Sequence, residues 1–500
     1  MAGSRMITVD DATALDGAAV DVAARIAWVL RMARTTADLP DTGLRQLARR
    51  LGTSTARLSR METGQLRDGR LVDAYEEALG LPEGSLRAPV DILCRTFPEA
   101  SPRDSDPGRA VDSVADLSRL TERLERPEPA PGGAWLRWAR TMSAPGNIGL
   151  PERHALPLLE RLVSELARSV AHAYHTRYEA LALMRCSAYG HLVLQIARTE
   201  LARPHAHGLG DLMSAVGEST TPDGLDWCLD LLRGGTDREA TLGALAIENM
   251  GQVGGDRFWR DVLPSVVAAF DATEPGTVSE ELAAHLVRLV PPSTWKDSGL
   301  VPARPLPPAT VAAKVSKDQA DHRWRECLDA ARAIGTEAGV GDQPLLARLV
   351  HDIAFGPWAT RAATSFMLLA AVPALAGRAA AHVARIAEDT SDPHVRERAV
   401  QRLPGLVNGR DLPSLDRWLS HDDPALRRTA IAVAGSAGRR LPEDVLRRAL
   451  MDPATRRRAI GAAGLSGHPL LAEVAVSPEL PVDVREAARW WLEQGGRVAG

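Results

Sequence analysis

Residues 45–64 read RQLARRLGTSTARLSRMETG. Leu47, Ala48 and Leu51 recur at helical spacing, Gly52 breaks the helix, and Thr53 can cap a second helix whose Leu58 and Met61 return to the same apolar side. Two short helices joined by a glycine turn make a helix-turn-helix. The residues left outside that core are Arg45, Arg49, Arg50, Ser54, Thr55, Arg57 and Arg60, a basic and hydroxylated face opposed only by Glu62. A phosphate backbone suits such a face.

The pattern Leu47-Ala48, Gly52, Leu58-Ser59, Glu62-x-Gly64 and Ala78-Leu79-Gly80-Leu81 resembles the Cro/C1-type (XRE) helix-turn-helix family of bacterial and phage repressors, over residues 22–87. The resemblance implies a recognition helix at 54–62 with Ser54, Thr55, Ala56, Arg57 and Arg60 toward the major groove. It also implies that Gly43, Leu44 and Gln46, at the start of the preceding helix, hold a phosphate through backbone N–H groups. Family members often carry Gln or Asn at the positions of Leu44, Thr55 and Ala56; without them, base reading rests on Thr55, Arg57 and Arg60. Glu62 resembles the family's structural acid, paired with an arginine of the first helix, Arg31 or else Arg34. Gln65 and Arg67, in the following loop, are within reach of a phosphate, while Arg49 and Arg50 are either contacts or solvated charges.

Working outward, residues 1–20 are small and acidic with little periodicity and read as a mobile tail. The helix-turn-helix domain occupies 21–94, with a first helix at 21–36, a fourth at 71–79 and a closing segment at 82–93. Residues 95–134 turn to Pro, Asp, Ser and Arg, a linker interrupted by an amphipathic helix at 111–125 that either docks on a neighbour or dimerises. Such a linker lets the amino-terminal domain move relative to the helical repeats beyond it.

The carboxyl third repeats. GPWATRAA, DPHVRERAV, DPALRRTAI, DPATRRRAI and LPVDVREAA bring Pro357, Pro393, Pro424, Pro453 and Pro481 at separations of 36, 31, 29 and 28 residues. Each period fits one helical hairpin, because Pro is tolerated in a first helical turn and a preceding Asp can cap it. This unit resembles the HEAT-repeat family, whose paired helices stack into a curved solenoid. The resemblance places the family's ladder on Asp392, Asp423 and Asp452 and on Arg396, Arg427 and Arg456, with Arg361 and Arg485 displaced by one position. Each arginine then bonds the acid or helix end of the next repeat, and Arg428, Arg457 and Arg458 remain as possible phosphate contacts. The HEAT-like repeats cover 321–498, a proline-rich break covers 291–320, and 135–290 reads as a degenerate helical-repeat segment. The fold class is all-α.

Five hundred residues with a net charge of −4 exceed one hydrophobic core and exclude a protein basic along its whole length. Between 42 and 67, however, six arginines face one acid. Cys94, Cys186, Cys228 and Cys327 lie far apart, His172 with His175 and His205 with His207 lack companions at ligand spacing, and no nucleophile elbow, phosphate loop or dinucleotide fingerprint occurs. Neither metal nor cofactor is expected. Trp135, Trp138, Trp490 and Trp491 read as packing at the solenoid ends. No run reaches membrane-spanning length and no cleavable leader is apparent, so a cytoplasmic location is expected.

The resulting expectation is a non-enzymatic, sequence-specific transcription regulator that binds double-stranded DNA as a homodimer. Its solenoid would receive a protein or small-molecule signal or mediate assembly. The alternative is a DNA-acting enzyme or scaffold built on a HEAT-like solenoid, as in some DNA glycosylases.

Overall fold

The computed structural model describes residues 9–39, 42–98, 113–144, 149–203, 206–308 and 315–500. Linker residues 99–112 and His205 lie outside them. Among the described residues every extended element is a helix, with one isolated bridge between Ser169 and Val498. The fold is all-α and ends in a solenoid.

The amino-terminal domain comprises α1 (Val22–Thr35), α2 (Leu44–Arg50), α3 (Thr55–Met61), α4 (Gly69–Ala78) and α5 (Arg87–Thr96). Asp21 opens α1 by accepting the Ala24 N–H at 2.9 Å, and the helix is buried on nearly every side. A helix of that kind belongs inside a core. Trp28 of α1, Leu47, Leu58 and Tyr75 share one apolar core with Leu345, Leu349, Ile353 and Leu368 of the repeats, so the domain is not a separate globule.

A second core belongs to α6 (Val114–Leu124), α7 (Gly132–Ser143), α8 (Glu152–Leu166), α9 (His172–Arg185), α10 (Gly190–Leu201), α11 (Leu209–Val216), α12 (Pro222–Gly234), α13 (Asp237–Ala272), α14 (Val278–Leu289) and α15 (Pro292–Ser298). α7 lies on α9, α12 on α13 and α13 on α14. α13 is two helices joined at Gly255, whose φ of 57° and ψ of −152° are open essentially to glycine alone. Within the segment 135–290, read as degenerate helical repeats, a break at residues 186–189 separates α9 from α10. Leu117, Leu120 and Leu124 of α6 are buried in this core, so α6 docks on its own chain beside α7.

The repeats comprise α16 (Lys317–Glu337), α17 (Pro344–Ala354), α18 (Ala359–Ala370), α19 (Pro373–Asp389), α20 (Pro393–Val407), α21 (Leu415–Leu419), α22 (Pro424–Ala437), α23 (Glu443–Met451), α24 (Arg456–Leu465), α25 (Leu471–Val474) and α26 (Val482–Gln494). Alternate helices stack, α18 on α20, α20 on α22, α22 on α24 and α24 on α26. Asp392 and Asp423 cap α20 and α22, their carboxylates accepting the N–H groups of His394 at 3.0 Å and Ala425 at 2.8 Å. Pro393 and Pro424 hold the first helical position, where their missing N–H costs nothing. The third copy departs: Asp452 accepts from Ala454 N–H at 2.9 Å in a turn, and α24 starts only at Arg456.

Two expectations about mobility are corrected. Residues 9–20, read as part of a mobile tail, lie along the repeats, with Val9 and Asp11 buried. Arg361 donates to the carbonyls of Ala14 at 2.7 Å, Gly17 at 2.9 Å and Ala19 at 3.0 Å, and Arg348 donates to Asp10 at 3.0 Å and to the Thr13 carbonyl at 2.7 Å. A buried guanidinium needs acceptors, and this segment supplies them.

The domain is also not free to swing. Arg25 of α1 sits fully buried, donating to Asp11 at 2.8 Å, Ser365 at 2.8 Å and Asp352 at 2.7 Å, while Arg361 donates to the other oxygen of Asp352 at 2.7 Å. Arg95, at the end of α5, bonds Glu218 at 2.6 Å and Glu179 at 2.8 Å in the opposite half. The chain then closes on itself. Val498 pairs with 168–170, Arg168 donates to the Gln494 carbonyl at 2.6 Å, and Arg457 reaches the Ala206 carbonyl at 3.1 Å.

Candidate nucleic-acid interface

α2 and α3 meet through a turn in which Gly52 takes a φ of 60° and Thr53 donates its N–H back to the Ala48 carbonyl at 3.0 Å. That is how a helix ends when a glycine follows it. Ser54, not Thr53, caps α3: its backbone is extended and its hydroxyl accepts the Arg57 N–H at 3.1 Å. Leu47, Ala48, Leu58 and Met61 point inward, while Arg45, Arg49, Arg50, Ser54, Thr55, Ala56, Arg57, Arg60 and Gln65 are exposed. The inside and outside of the motif are those the sequence predicts.

Glu62 is buried and held by Arg34, not by Arg31. Arg34 donates Nε at 2.6 Å and a terminal nitrogen at 2.7 Å to the two carboxylate oxygens, a bidentate fork, and reaches the Thr42 carbonyl at 3.0 Å. Tyr75 donates its hydroxyl to the same carboxylate, so α1, α3, α4 and the loop before α2 share one anchor. Burial and the Glu62 charge raise the Tyr75 hydroxyl well above its ordinary range, keeping it a donor. Arg31 only feels Glu62 at a distance: burial lowers its pKa and the carboxylate pulls it back.

The exposed arginines divide into two groups. Arg57 is paired with Asp68, which also caps α4 by accepting the Leu71 N–H at 3.1 Å. Arg67 is largely buried and bonds Asp91 at 3.1 Å, where Arg87 and Arg140 also converge at 2.8 and 3.0 Å. Burial works against the Asp91 charge, yet Arg87, Arg140 and Arg67 together hold its carboxyl below the usual range. Arg67 is therefore committed to structure. By contrast, the side chains of Arg45, Arg49, Arg50 and Arg60 have no hydrogen-bond or ion-pair partner among the described residues. At the opening of α2, Gly43 is exposed, Gln46 is half-buried and the Leu44 side chain packs on the core.

The ladder arginines behave differently from the expected rungs. Arg427 donates to the carbonyls of His421 at 2.7 Å and Asp422 at 2.9 Å, and Arg456 to those of Leu450 at 2.8 Å and Met451 at 3.0 Å. Arg396 bonds the carbonyls of Ala387 at 3.1 Å and Thr390 at 2.7 Å and also reaches Asp423 of the next repeat at 3.3 Å. Arg396 and Arg456 thus close the end of the helix before them, where orphan carbonyls and the negative dipole end attract a cation, while Arg427 bonds the loop between α21 and α22. The inter-repeat rung appears at Arg396 with Asp423, while Asp392 pairs with Arg323 at 2.9 Å.

The remaining polar candidates are packing groups. His175 is buried, and burial together with His172 and Arg410 pushes its pKa down to about 3. No group of three His, Cys, Asp or Glu is placed to hold a metal among the described residues. Trp135 donates to Glu165 at 2.9 Å, and Trp490 and Trp491 lie tilted against His207, with 39° and 54° between the ring planes. The seam built from Arg25, Asp352, Arg361 and Arg95 left no local signal in the sequence, because its partners lie up to 340 residues apart.

No single helix among the described residues is long and apolar enough to cross a membrane; the bent pair α9 and α10, apolar enough by composition, is mostly buried in the second core. No family model matches the chain. No curated protein matches it. A chain from a solved structure of microtubule polymerases with tumor overexpressed gene (TOG) domain arrays, concerned with tubulin recruitment and assembly, is similar over 76% of this chain and 96% of that one, at 10% identity and a TM-score of 0.22. The solenoid is defined by the stacking of its own helices, and the α2–turn–α3 motif beside it carries exposed arginines.

Proposed function

We propose that this chain is a sequence-specific DNA-binding transcription regulator in which α3 enters the major groove and the solenoid serves as scaffold. The observation that carries the reading is that four arginines, Arg45, Arg49, Arg50 and Arg60, are exposed and without a side-chain partner among the described residues, while nearby Arg57 and Arg67 are tied to acids. A cation that the fold does not use is available to phosphate. Arg60 and Thr55 are the base readers in this reading, Ser54 and Gln65 flank them, and Arg67 is withdrawn. No chemical reaction is assigned. Regulation acts through affinity for an operator, and two copies reading half-sites about 34 Å apart supply the specificity that one short helix lacks.

The test uses the full chain and a random duplex library. Repeated selection is expected to enrich an inverted repeat bound with a steep salt dependence, and Arg45→Ala/Arg49→Ala/Arg50→Ala together should flatten that dependence. Failure to enrich any sequence, with no salt-dependent binding to duplex, overturns the reading.

A second reading, a protein-binding scaffold, has its own support. Met451, the last residue of α23, and Val476, in the turn between α25 and α26, are 57% and 73% exposed, and Val482, which opens α26, is 58% exposed. Apolar residues recurring near successive hairpin turns suit a protein contact, either with a second copy or with a different chain.

A further inference from the structure

A cavity of about 250 Å³ opens where the three parts of the molecule meet. Ile92 of α5, Tyr174 and Tyr178 of α9, Val253 of α13, and Ala363 and Phe366 of α18 line it, so each part contributes a wall. Tyr174 and Tyr178 lie nearly parallel, ring centroids 6.2 Å apart and planes 24° from each other, and present a flat aromatic side.

The charges around it are mostly carboxylate, and one of them is paired. Glu218 accepts Arg95 at 2.6 Å on one oxygen and the Tyr178 hydroxyl at 2.8 Å on the other. His175 is kept neutral by burial, and Glu248 at the rim reaches His285 at 3.4 Å. What remains polar is mainly amide and hydroxyl. Asn249 donates to the Ser214 carbonyl at 3.3 Å, whereas the Gln252 amide has no partner among the described residues. An apolar cleft between domains with a few polar groups is the usual form of a small-molecule site, and this one lies just below the common range of about 300–1,000 Å³.

We propose that this seam binds an uncharged, mainly apolar small molecule of one or two rings, stacked on Tyr174 and Tyr178 and hydrogen-bonded to Gln252. An anionic ligand is disfavoured, because Glu218 and Glu248 line the wall and Arg95 is already paired with Glu218. The site deepens the reading given above as a DNA-binding regulator and depends on it for its effect. α5 belongs to the helix-turn-helix domain and touches both α9 and α18, so an occupant bridges the domain to both halves of the scaffold. It shifts DNA affinity only as far as it prefers one seating of α5 over another.

The probe is 6-propionyl-2-(dimethylamino)naphthalene, a neutral two-ring aromatic with a carbonyl acceptor, whose fluorescence shifts and rises in apolar surroundings, titrated into the full chain. Saturable one-to-one binding is expected, weakened at least tenfold by Ala363→Trp and by Val253→Trp, which fill the cavity from opposite walls. Thermal melts check that both variants fold. Hydrogen exchange on the unaltered chain gives a readout independent of mutation: dye-dependent protection is expected over α5, α9 and α18. Binding that does not saturate, equal affinity in both folded variants, or protection confined to other helices overturns the site. Duplex affinity of the selected sequence, measured with and without dye, is expected to differ at least threefold. An unchanged duplex affinity overturns the coupling alone, and a chain that binds dye but no duplex refutes the DNA reading while the pocket stands.

Discussion

The helix-turn-helix and the carboxyl-terminal repeats look alike in one respect, a high density of arginine on short helices, and they use it in opposite ways. In the repeats an arginine near the start of a helix folds back over carbonyls that precede it, Arg427 over those of His421 and Asp422 in the loop and Arg456 over those of Leu450 and Met451 at the end of α23. In the helix-turn-helix, Arg49 and Arg50 end α2 and Arg60 lies near the end of α3, beyond any preceding helix end, and their side chains stay in water. Whether unpaired carbonyls lie within reach of the side chain, not residue type, separates these structural guanidiniums from the available ones.

The strongest way to break the contrast is at the seam where the two regions join. Asp352→Ala leaves Arg25 and Arg361 buried without their shared carboxylate, and removing one partner of a buried charge network costs about 3–5 kcal/mol. Denaturant unfolding should show that loss and a lowered melting temperature; a change under about 1 kcal/mol would mean the network is wet. Next in size, Arg60→Ala should weaken binding to the selected duplex by about 1–3 kcal/mol and binding to random duplex much less. Equal losses on both would make Arg60 a phosphate contact.

Acid sharpens the comparison, since the first histidine in the chain is His154 and all thirteen therefore lie beyond the helix-turn-helix. Burial pushes His351 and His382 down to about 4 and His175 to about 3. These groups take up protons on unfolding below about pH 6.5 but not while folded above about 4, so their contribution to stability is full above about 6.5 and is lost as pH falls toward 4. His382→Leu should flatten the stability slope in that window by at most one proton, about 1.4 kcal/mol per pH unit. An unchanged slope means that His382 titrates alike in both states. The smallest effect is expected of Arg427→Ala, about 1 kcal/mol of stability with duplex affinity within about twofold. A larger loss of DNA binding than of stability would place the repeats on the DNA.

How much of this was legible depends on the distance over which each feature is written. The turn at Gly52, the inward Leu58 and Met61 and the proline-opened α20 and α22 are local and match their sequence signals. Adjacent hydroxyls blurred the cap of α3, since either Thr53 or Ser54 has the chemistry and only the extended backbone at Ser54 separates them. Arg31 and Arg34 are one helical turn apart on α1, so spacing permits both as partners of Glu62. The Thr42 carbonyl, which accepts from the same guanidinium, favours Arg34. Nothing local announces Arg25 with Asp352, Arg95 with Glu179 or the cavity beside them, because each needs helices from distant parts of the chain.

The long reach of Arg25 has a consequence for how the protein is made. Its hydrogen bond to Ser365 spans 340 residues, and at about 5–20 residues per second a ribosome needs roughly 17–68 s to deliver the partner. Over that interval the nascent amino terminus carries a guanidinium and an apolar helix destined for a core that does not yet exist. A chain cut short before α17 never receives Asp352, so premature termination yields an amino-terminal domain with its anchor exposed, a substrate for chaperones and proteases.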